Sequence, residues 1–351
     1  MKITFCLPAN SYRTIAGGYK VVYEYSNRLA ARGHEVSLVL NTGYAFKNII
    51  KIEWVRLLVC KFWVMISPRW FKLDKKVKKI SANGITNRSV PNGDAVFATA
   101  VGTAEFVKNL DSDKGKKYYL IQDYETWECN ESYVVSTYKM GLNNIVISRW
   151  LMKIMENIGV KSFYLTNPID TGRFFVKKPI LDRDSHSIGI LYHKDKHKGF
   201  EYSYQVIRWL KIVYPDLKVK MFGTPKRPEN IDSGIEYIQN ASAKQLSELY
   251  NSVRVFLCMS VKEGFGLTGG EAMACGCALV STAYDGVFDY AIDGENSLII
   301  PIKDVELAVK RVSQLFEDEE LLQKISRKGA ADMKKRTWSN AVERLEYIIG
   351  K

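Results

Sequence analysis

The segment richest in chemistry is Lys262-Glu263-Gly264-Phe265-Gly266-Leu267-Thr268-Gly269-Gly270-Glu271-Ala272-Met273-Ala274-Cys275-Gly276. Two glutamates stand eight positions apart around Gly264, Gly266, Gly269 and Gly270. Glycines permit a tight backbone whose N–H groups point outward, and a helix N-terminus adds a positive dipole. Together these make a cradle for an anion, suited to a diphosphate. A carboxylate beside such a cradle is the group that accepts hydrogen bonds from the paired hydroxyls of ribose or hexose. The same residues also read more plainly, as a glycine-rich strand-to-helix turn with a surface glutamate at each end.

Such a site needs strands and helices to hold it. The chain has 351 residues, 46% hydrophobic and 25% charged, the mix of a globular protein of about two domains. Ile3–Leu7 is a short apolar run ending at Pro8, a buried strand. Val21, Val22, Tyr25, Leu29 and Ala30 recur at helical spacing until Arg32-Gly33, and Glu35–Leu40 is a second strand. Strand, glycine-containing loop, helix and strand form a βαβ unit, which requires a parallel sheet. Further strands are expected at Ala95–Ala100, Lys117–Ile121 and Asn144–Ile147, followed by a helix over Arg149–Asn157 capped by Ser148. Asn167-Pro168-Ile169-Asp170 reads as a hinge, with a polar linker over 168–186.

From residue 187 the alternation restarts. Strands are expected at 187–191, 217–222, 253–258, 278–281 and 297–300, and helices at 200–213, 243–250, 269–274 and 305–316. A long helical stretch from Glu319 to Ile349 closes the chain and can cross back to the first domain. The expected fold class is α/β, with two doubly wound Rossmann-like domains, 1–167 and 187–351, facing across a cleft. Ligands in such sheets sit at the carboxyl ends of the strands.

Charge is the unusual feature: 51 Lys+Arg against 38 Asp+Glu leaves +13. Residues 1–170 hold 24 basic and 14 acidic residues, whereas 171–351 hold 27 and 24, so the first half carries most of the field. The excess points to an anionic partner. Much of it lies in residues 47–79, which have ten Lys+Arg and two acids interleaved with Trp54, Phe62, Trp63, Trp70 and Phe71. That is the composition of an interfacial membrane helix, and equally of a helix packed on the first domain with its lysines outside. Nucleic acid is the weakest reading, because carboxylates beside a phosphate cradle repel a polyanion.

Six cysteines scattered along the chain give no disulfide framework, and Cys275-Gly276-Cys277, lacking a second ligand pair, reads as two small buried side chains. No metal site is expected. The N-terminal run is too short for a signal peptide, and no run of about 20 apolar residues exists to span a bilayer. The expected location is the cytoplasm, peripheral on the inner face of the plasma membrane.

The pair Glu-Gly-Phe-Gly-Leu and Glu-Ala-Met-Ala-Cys-Gly-Cys resembles the E-x7-E signature of retaining glycosyltransferases of family 4, which have the GT-B fold. Other landmarks follow in family order across nearly the whole chain: Ala16-Gly17-Gly18, Arg32-Gly33-His34-Glu35-Val36, Ile147-Ser148-Arg149-Trp150-Leu151, Asn167-Pro168-Ile169-Asp170, Lys198-Gly199 and Asp293-Gly294-Glu295-Asn296. Gln122-Asp123-Tyr124-Glu125 resembles rhamnosyltransferase-like members. The resemblance implies transfer of a sugar from a nucleoside-diphosphate donor to an acceptor hydroxyl, the acceptor being a glycan or a lipid-linked molecule, in cell-surface polysaccharide or glycolipid synthesis.

By the same resemblance Glu263 contacts hydroxyls of the transferred sugar, Glu271 binds the nucleotide ribose, and backbone amides of Gly266, Leu267 and Thr268 meet sugar and diphosphate. Lys198 neutralises the leaving diphosphate without a metal, Gly17 and Gly18 let a loop approach it, and Ile238 falls near the base. The donor half departs from the pattern in two places. Tyr192 or His193 stands where the family often has Arg, so that His193, Lys194 or Lys196 could supply the charge, and Ser297 replaces a usual Gly. No histidine of the first half suits catalysis, since His34 sits in a helix-to-strand turn. Asp123 and Glu125, at a strand's carboxyl end, are the acceptor-side candidates, against a plain structural loop. Alternative readings are a nucleotide-sugar epimerase of the same fold and a non-catalytic nucleotide-sugar binding protein.

Overall fold

The computed structural model describes residues 1–8, 15–127 and 129–350. They divide into two compact units, one of residues 1–166 with 342–351 and one of residues 167–341.

In the first unit the elements run β1 (Lys2–Leu7), α1 (Gly17–Ala31), β2 (Glu35–Asn41), α2 (Glu53–Ile66), β3 (Lys78–Ala82), β4 (Ala95–Ala98), α3 (Val101–Lys108), β5 (Lys116–Ile121), α4 (Glu131–Tyr138), β6 (Asn143–Val146), α5 (Arg149–Asn157) and β7 (Ser162–Tyr164). All seven strands are parallel, in the order β3-β2-β1-β4-β5-β6-β7. A central parallel strand has both faces covered, which explains the unbroken apolar runs: Ile3, Phe5, Cys6 and Leu7 are fully buried. Alpha1 buries the expected Val21, Val22, Tyr25, Leu29 and Ala30, and also Tyr23, Glu24 and Ser26, so its middle is enclosed on more than one face.

The second unit has β8 (Ser187–Tyr192), α6 (Phe200–Val213), β9 (Lys218–Gly223), β10 (Glu236–Gln239), α7 (Ala243–Tyr250), β11 (Val255–Cys258), α8 (Leu267–Ala274), β12 (Ala278–Thr282), β13 (Leu298–Ile300), α9 (Val305–Glu317) and α10 (Glu319–Lys334). Its six parallel strands are ordered β10-β9-β8-β11-β12-β13. This is the doubly wound arrangement, in which strand order reverses between β8 and β11.

Several boundaries differ from the sequence reading. Beta4 stops at Ala98, because Thr99 and Ala100 turn into α3, where the Thr103 hydroxyl accepts the N–H of Ala100 at 3.2 Å. Ser148 stands at the N-cap of α5, but its buried hydroxyl makes no capping bond. The closing stretch is two helices rather than one: α10 ends at Lys334 and α11 (Trp338–Gly350) follows. Asp318 starts α10 by accepting the Leu321 N–H at 2.9 Å. The last nine residues of α11 belong to the first unit, where Glu346 Oε1 meets Arg32 Nε and His34 Nε2, each at 2.9 Å.

Residues 168–186, read as a polar linker, are packed into the second unit. Phe174 and Ile180 are buried there. Arg183 is also buried, and its guanidinium donates to the carbonyls of Lys178, Tyr250, Val253 and Cys275 at 2.7–3.2 Å. Cys277 lies beside it, its thiol donating to the Tyr250 carbonyl at 2.9 Å. Burial pushes the thiols of Cys275 and Cys277 up to about 12 and about 11, as suits inert core side chains.

The basic segment 47–79 divides by role. Trp70 and Phe71 pack on the buried ring of Tyr23, with centroids 5.7 and 5.5 Å away, whereas Trp54 and Phe62 on α2 are exposed. Among the described residues no helix is long and apolar enough to cross a membrane.

Candidate functional site

Connections leave β8 and β11 in opposite directions, so a crevice opens at the carboxyl ends of these two neighbouring strands. The loop after β8 carries His193, Lys194 and Lys198, and the loop after β11 carries Glu263. The structure brings the last two together: Lys198 Nζ lies 3.2 Å from Glu263 Oε2. The backbone ties the loops as well, the His197 carbonyl accepting the Val261 N–H at 2.7 Å. Glu263 is 8% exposed, and its other oxygen accepts the hydroxyl of Ser260 at 2.7 Å. Lys198 is more open, with 23% of its side chain accessible. A buried, oriented carboxylate next to a half-exposed ammonium can accept from hydroxyls and attract an anion at one place.

The glycine turn that follows is held by contacts a side chain would forbid. Gly266 has φ +87°, and a Cβ there would fall 2.0 Å from the Tyr284 hydroxyl. That hydroxyl and the Tyr290 hydroxyl are 2.8 Å apart, and Tyr290 donates to the Gly266 carbonyl at 3.0 Å. Both phenols are buried, and burial keeps them protonated far above their ordinary range, so this brace stays a donor chain. On the other side, a Cβ on Gly286 would lie 2.6 Å from the carbonyl oxygens of both Glu263 and Gly264. Alpha8 starts at Leu267, so the N–H groups of Leu267 and Thr268 fall in its first turn, where no carbonyl four residues back belongs to the helix. Glu271 is buried further along the same helix, 6% exposed.

His193 Nδ1 sits 3.1 Å from Asp195 Oδ2. Burial lowers the His193 imidazole below its ordinary value, Lys198 adds to this, and Asp195 opposes it. His197 is lowered for the same first reason. At neutral pH His193 is therefore uncharged, so the positive groups in this loop are Lys194 and Lys196, both exposed, and Lys198. Ile238 lies elsewhere in the unit, half-buried near the end of the edge strand β10 and paired in register with Phe222.

The remaining candidates are in the first unit. Gly17 and Gly18 open α1, and the position a Gly18 Cβ would take is 3.3 Å from the Gln122 amide at the end of β5. Asp123 accepts the N–H of Tyr124 at 2.7 Å, and Glu125 accepts the N–H of Val101 at 2.7 Å, at the N-terminus of α3. One oxygen of Glu125 therefore already serves a helix end.

Sequence reasoning missed the supports of the site: Ser260, Tyr284, Tyr290 and Gly286. Only Ser260, three residues before Glu263, carried a signal. The tyrosines come from a turn that nothing in the chain's pattern ties to the glycine loop. Among the described residues no group of three or more His, Cys, Asp and Glu is placed to hold a metal ion.

Two parallel-sheet Rossmann-like units are the architecture of the GT-B class of α/β fold. Residues 177–332, within the second unit, match the family described as Glycosyl transferases group 1. The chain is 25% identical over 240 residues to the capsular polysaccharide biosynthesis glycosyltransferase CapM of Staphylococcus aureus, covering 63% of this chain and 62% of CapM. It spans smaller shares of other curated relatives. In fold it is similar to sucrose-phosphate synthase from Thermosynechococcus elongatus, with TM-score 0.76, 12% identity, and 99% and 98% of the two chains covered. It is also similar to HepE of Anabaena in complex with UDP-glucose, with TM-score 0.73, 13% identity, and 100% and 99% covered.

Proposed function

We propose that this protein is a retaining, family 4-like glycosyltransferase that moves a sugar from a nucleoside-diphosphate sugar to an acceptor hydroxyl without a metal ion. The observation that carries the reading is the Lys198–Glu263 pair, 3.2 Å apart at the β8/β11 switch point, beside the Gly266 turn that opens α8. The group 1 domain over 177–332 supports it.

In this reading the donor diphosphate lies over the N-terminus of α8, with Lys198 opposing the charge that develops on the leaving phosphate. Glu263, held by Ser260, accepts from hydroxyls of the transferred sugar, and Glu271 from those of the ribose. Backbone amides of Gly266, Leu267 and Thr268 meet the diphosphate, Gly17 and Gly18 border it, and Ile238 lies toward the base. His193 in its neutral form and Lys194 complete the donor side. The acceptor oxygen bonds to the anomeric carbon as the bond from that carbon to the diphosphate breaks on the same face. The acceptor's proton passes to the leaving phosphate oxygen, so no side-chain nucleophile is required. Asp123 and Glu125 are the acceptor-side groups.

The acceptor is a glycan or lipid-linked molecule of a surface polysaccharide or glycolipid, in keeping with the polysaccharide relative. A uridine donor is the first to try, since the HepE complex holds UDP-glucose. The setting is the cytoplasmic face of the plasma membrane. Replacing Glu263 by Ala should abolish transfer while circular dichroism and thermal unfolding still report a folded chain. Wild-type turnover in that variant would defeat the assignment, and sugar release or isomerisation with no acceptor present would favour the epimerase alternative.

A further inference from the structure

Helix α2 is amphipathic the wrong way round for a helix on the surface of a domain. Its buried stripe is narrow and consists of Arg56, Cys60 and Val64. Its outward face carries Trp54, Leu57, Leu58, Phe62 and Met65, which are 67%, 36%, 58%, 56% and 62% exposed. Lys61 is the one cation on that face, and Glu53 stands at its start. A surface helix ordinarily turns its apolar stripe to the core.

Alpha2 is held against doing so. The Arg56 guanidinium, 3% exposed, donates to the carbonyls of Thr42, Gly43 and Ala45 at 3.3–3.4 Å and to Asn83 Oδ1 at 2.9 Å. Rolling the helix to hide its apolar face would pull Arg56 out of these contacts and strand a set of buried carbonyls. The outward face is thus fixed by construction. The turn ahead of α2 adds exposed Ile49 and Ile52 to the same stretch of chain.

What covers a face of this kind is indicated by its surroundings. Lys47 and Lys51 precede the helix, Lys61 lies within it, and Arg69, Lys72, Lys75, Lys76 and Lys78 follow, all exposed. Glu53 and Asp74 are the only acids between 47 and 79. Large aromatic and aliphatic side chains in a field of lysines fit the boundary of an anionic bilayer, where apolar groups enter the acyl region and lysines meet phosphates. At 14 residues α2 is about 21 Å long, short of the ~30 Å bilayer core, so it suits a helix lying in the surface and not one crossing it.

We infer that the outward face of α2, formed by Trp54, Leu57, Leu58, Phe62 and Met65, is a docking surface for an anionic lipid bilayer, held outward by Arg56. The inference deepens the membrane setting proposed above by naming the element that makes the contact, and its test needs no transfer reaction. Of the aromatic residues in 47–79, Trp70 and Phe71 have no part in it, because they pack on Tyr23.

The test is co-sedimentation of the full chain with vesicles of phosphatidylcholine alone and of phosphatidylcholine with ~30% phosphatidylglycerol, at two salt concentrations. Wild type should bind the anionic vesicles and lose binding as salt rises. The double variant Leu58→Ser/Phe62→Ser should bind at least ~10-fold more weakly, since it withdraws two large side chains from the acyl region. The variant Trp209→Ser, at a separate exposed apolar spot where Trp209 is 62% accessible, should bind as wild type. Thermal unfolding and nucleotide binding of each variant confirm that the fold and donor site persist. Equal vesicle binding by Leu58→Ser/Phe62→Ser and wild type overturns the inference, and so does a wild type that ignores anionic vesicles. Concentration-dependent dimerisation lost in the same double variant, with no vesicle binding by wild type, would assign the face to a second copy of the chain instead.

Discussion

Gly286→Ala offers a close test of how the site is built. The added methyl would lie 2.6 Å from the carbonyl oxygens of Glu263 and Gly264 and 2.7 Å from the Gly264 carbon, whereas ordinary contact begins at 3.4 Å. The gap to be opened is about 0.8 Å, and the obstructing atoms are backbone, so no side chain can swing aside. Either the turn carrying Gly286 or the Glu263–Gly264 loop must move. Overpacking of this size costs about 1–3 kcal/mol, a fall of a few degrees in melting temperature for a unit of this length. Movement of the loop also displaces Glu263 from Lys198, and a displacement near 1 Å at a reacting centre costs up to ~100-fold in rate. The expected outcome is a folded variant with kcat/KM reduced ~10- to 100-fold, measured by donor consumption beside a thermal melt. A melt lowered by several degrees with wild-type kcat/KM would refute the claim that chemistry depends on where this loop sits. An unchanged melt would refute the clash itself.

Three further outcomes follow from burial and charge. Arg183→Met removes donors from four carbonyls in the second unit and should lower stability by about 3 kcal/mol in a urea titration; an unchanged midpoint would contradict its bracing role. His193 and His197 are held below their ordinary value of 6.5 in the folded chain, so the unfolded chain takes up protons first as pH falls. Stability from these two groups is present above pH 6.5 and is lost as pH drops below it, and a His193→Gln/His197→Gln variant should show a shallower loss over that window. Cys129 is half-buried whereas the other five cysteines are buried, with Cys6 pushed up to about 12 by desolvation. One thiol should react rapidly with a disulfide reagent under native conditions and six in denaturant.

The parallel sheets were legible because their strands are buried on both faces and announce themselves as apolar runs: Ile3–Leu7 and Val255–Cys258 leave little choice. Short or half-buried elements were not. Beta3 reads Lys-Lys-Ile-Ser-Ala and β7 is three residues long, so neither alternates or clusters enough to stand out. The break between α10 and α11 was hidden because Lys335-Arg336-Thr337, which separates them, contains no Gly or Pro to mark a helix end. At the site, Glu263 and Lys198 could be named from their surroundings in sequence, but their 3.2 Å approach depends on β8 and β11 being neighbours, a fact of topology. Tyr284 and Tyr290 act on Gly266 through space alone. Alpha2 was the least legible: its composition fits a core helix and a surface one equally, and only the burial of Arg56 settles which way it faces.

On the proposed reading, the crevice at β8 and β11 holds a nucleoside-diphosphate sugar, its diphosphate near Lys198 and its sugar near Glu263. Isothermal titration with a panel of nucleoside diphosphates and their sugar conjugates tests this directly. At least one nucleoside diphosphate should bind, and Lys198→Ala should weaken it about tenfold or more by removing a charged hydrogen-bond donor. Glu263→Gln should weaken the sugar conjugate while leaving nucleoside diphosphate binding in place. Binding of no nucleoside diphosphate, or wild-type affinity for both ligands in the two variants, would contradict it.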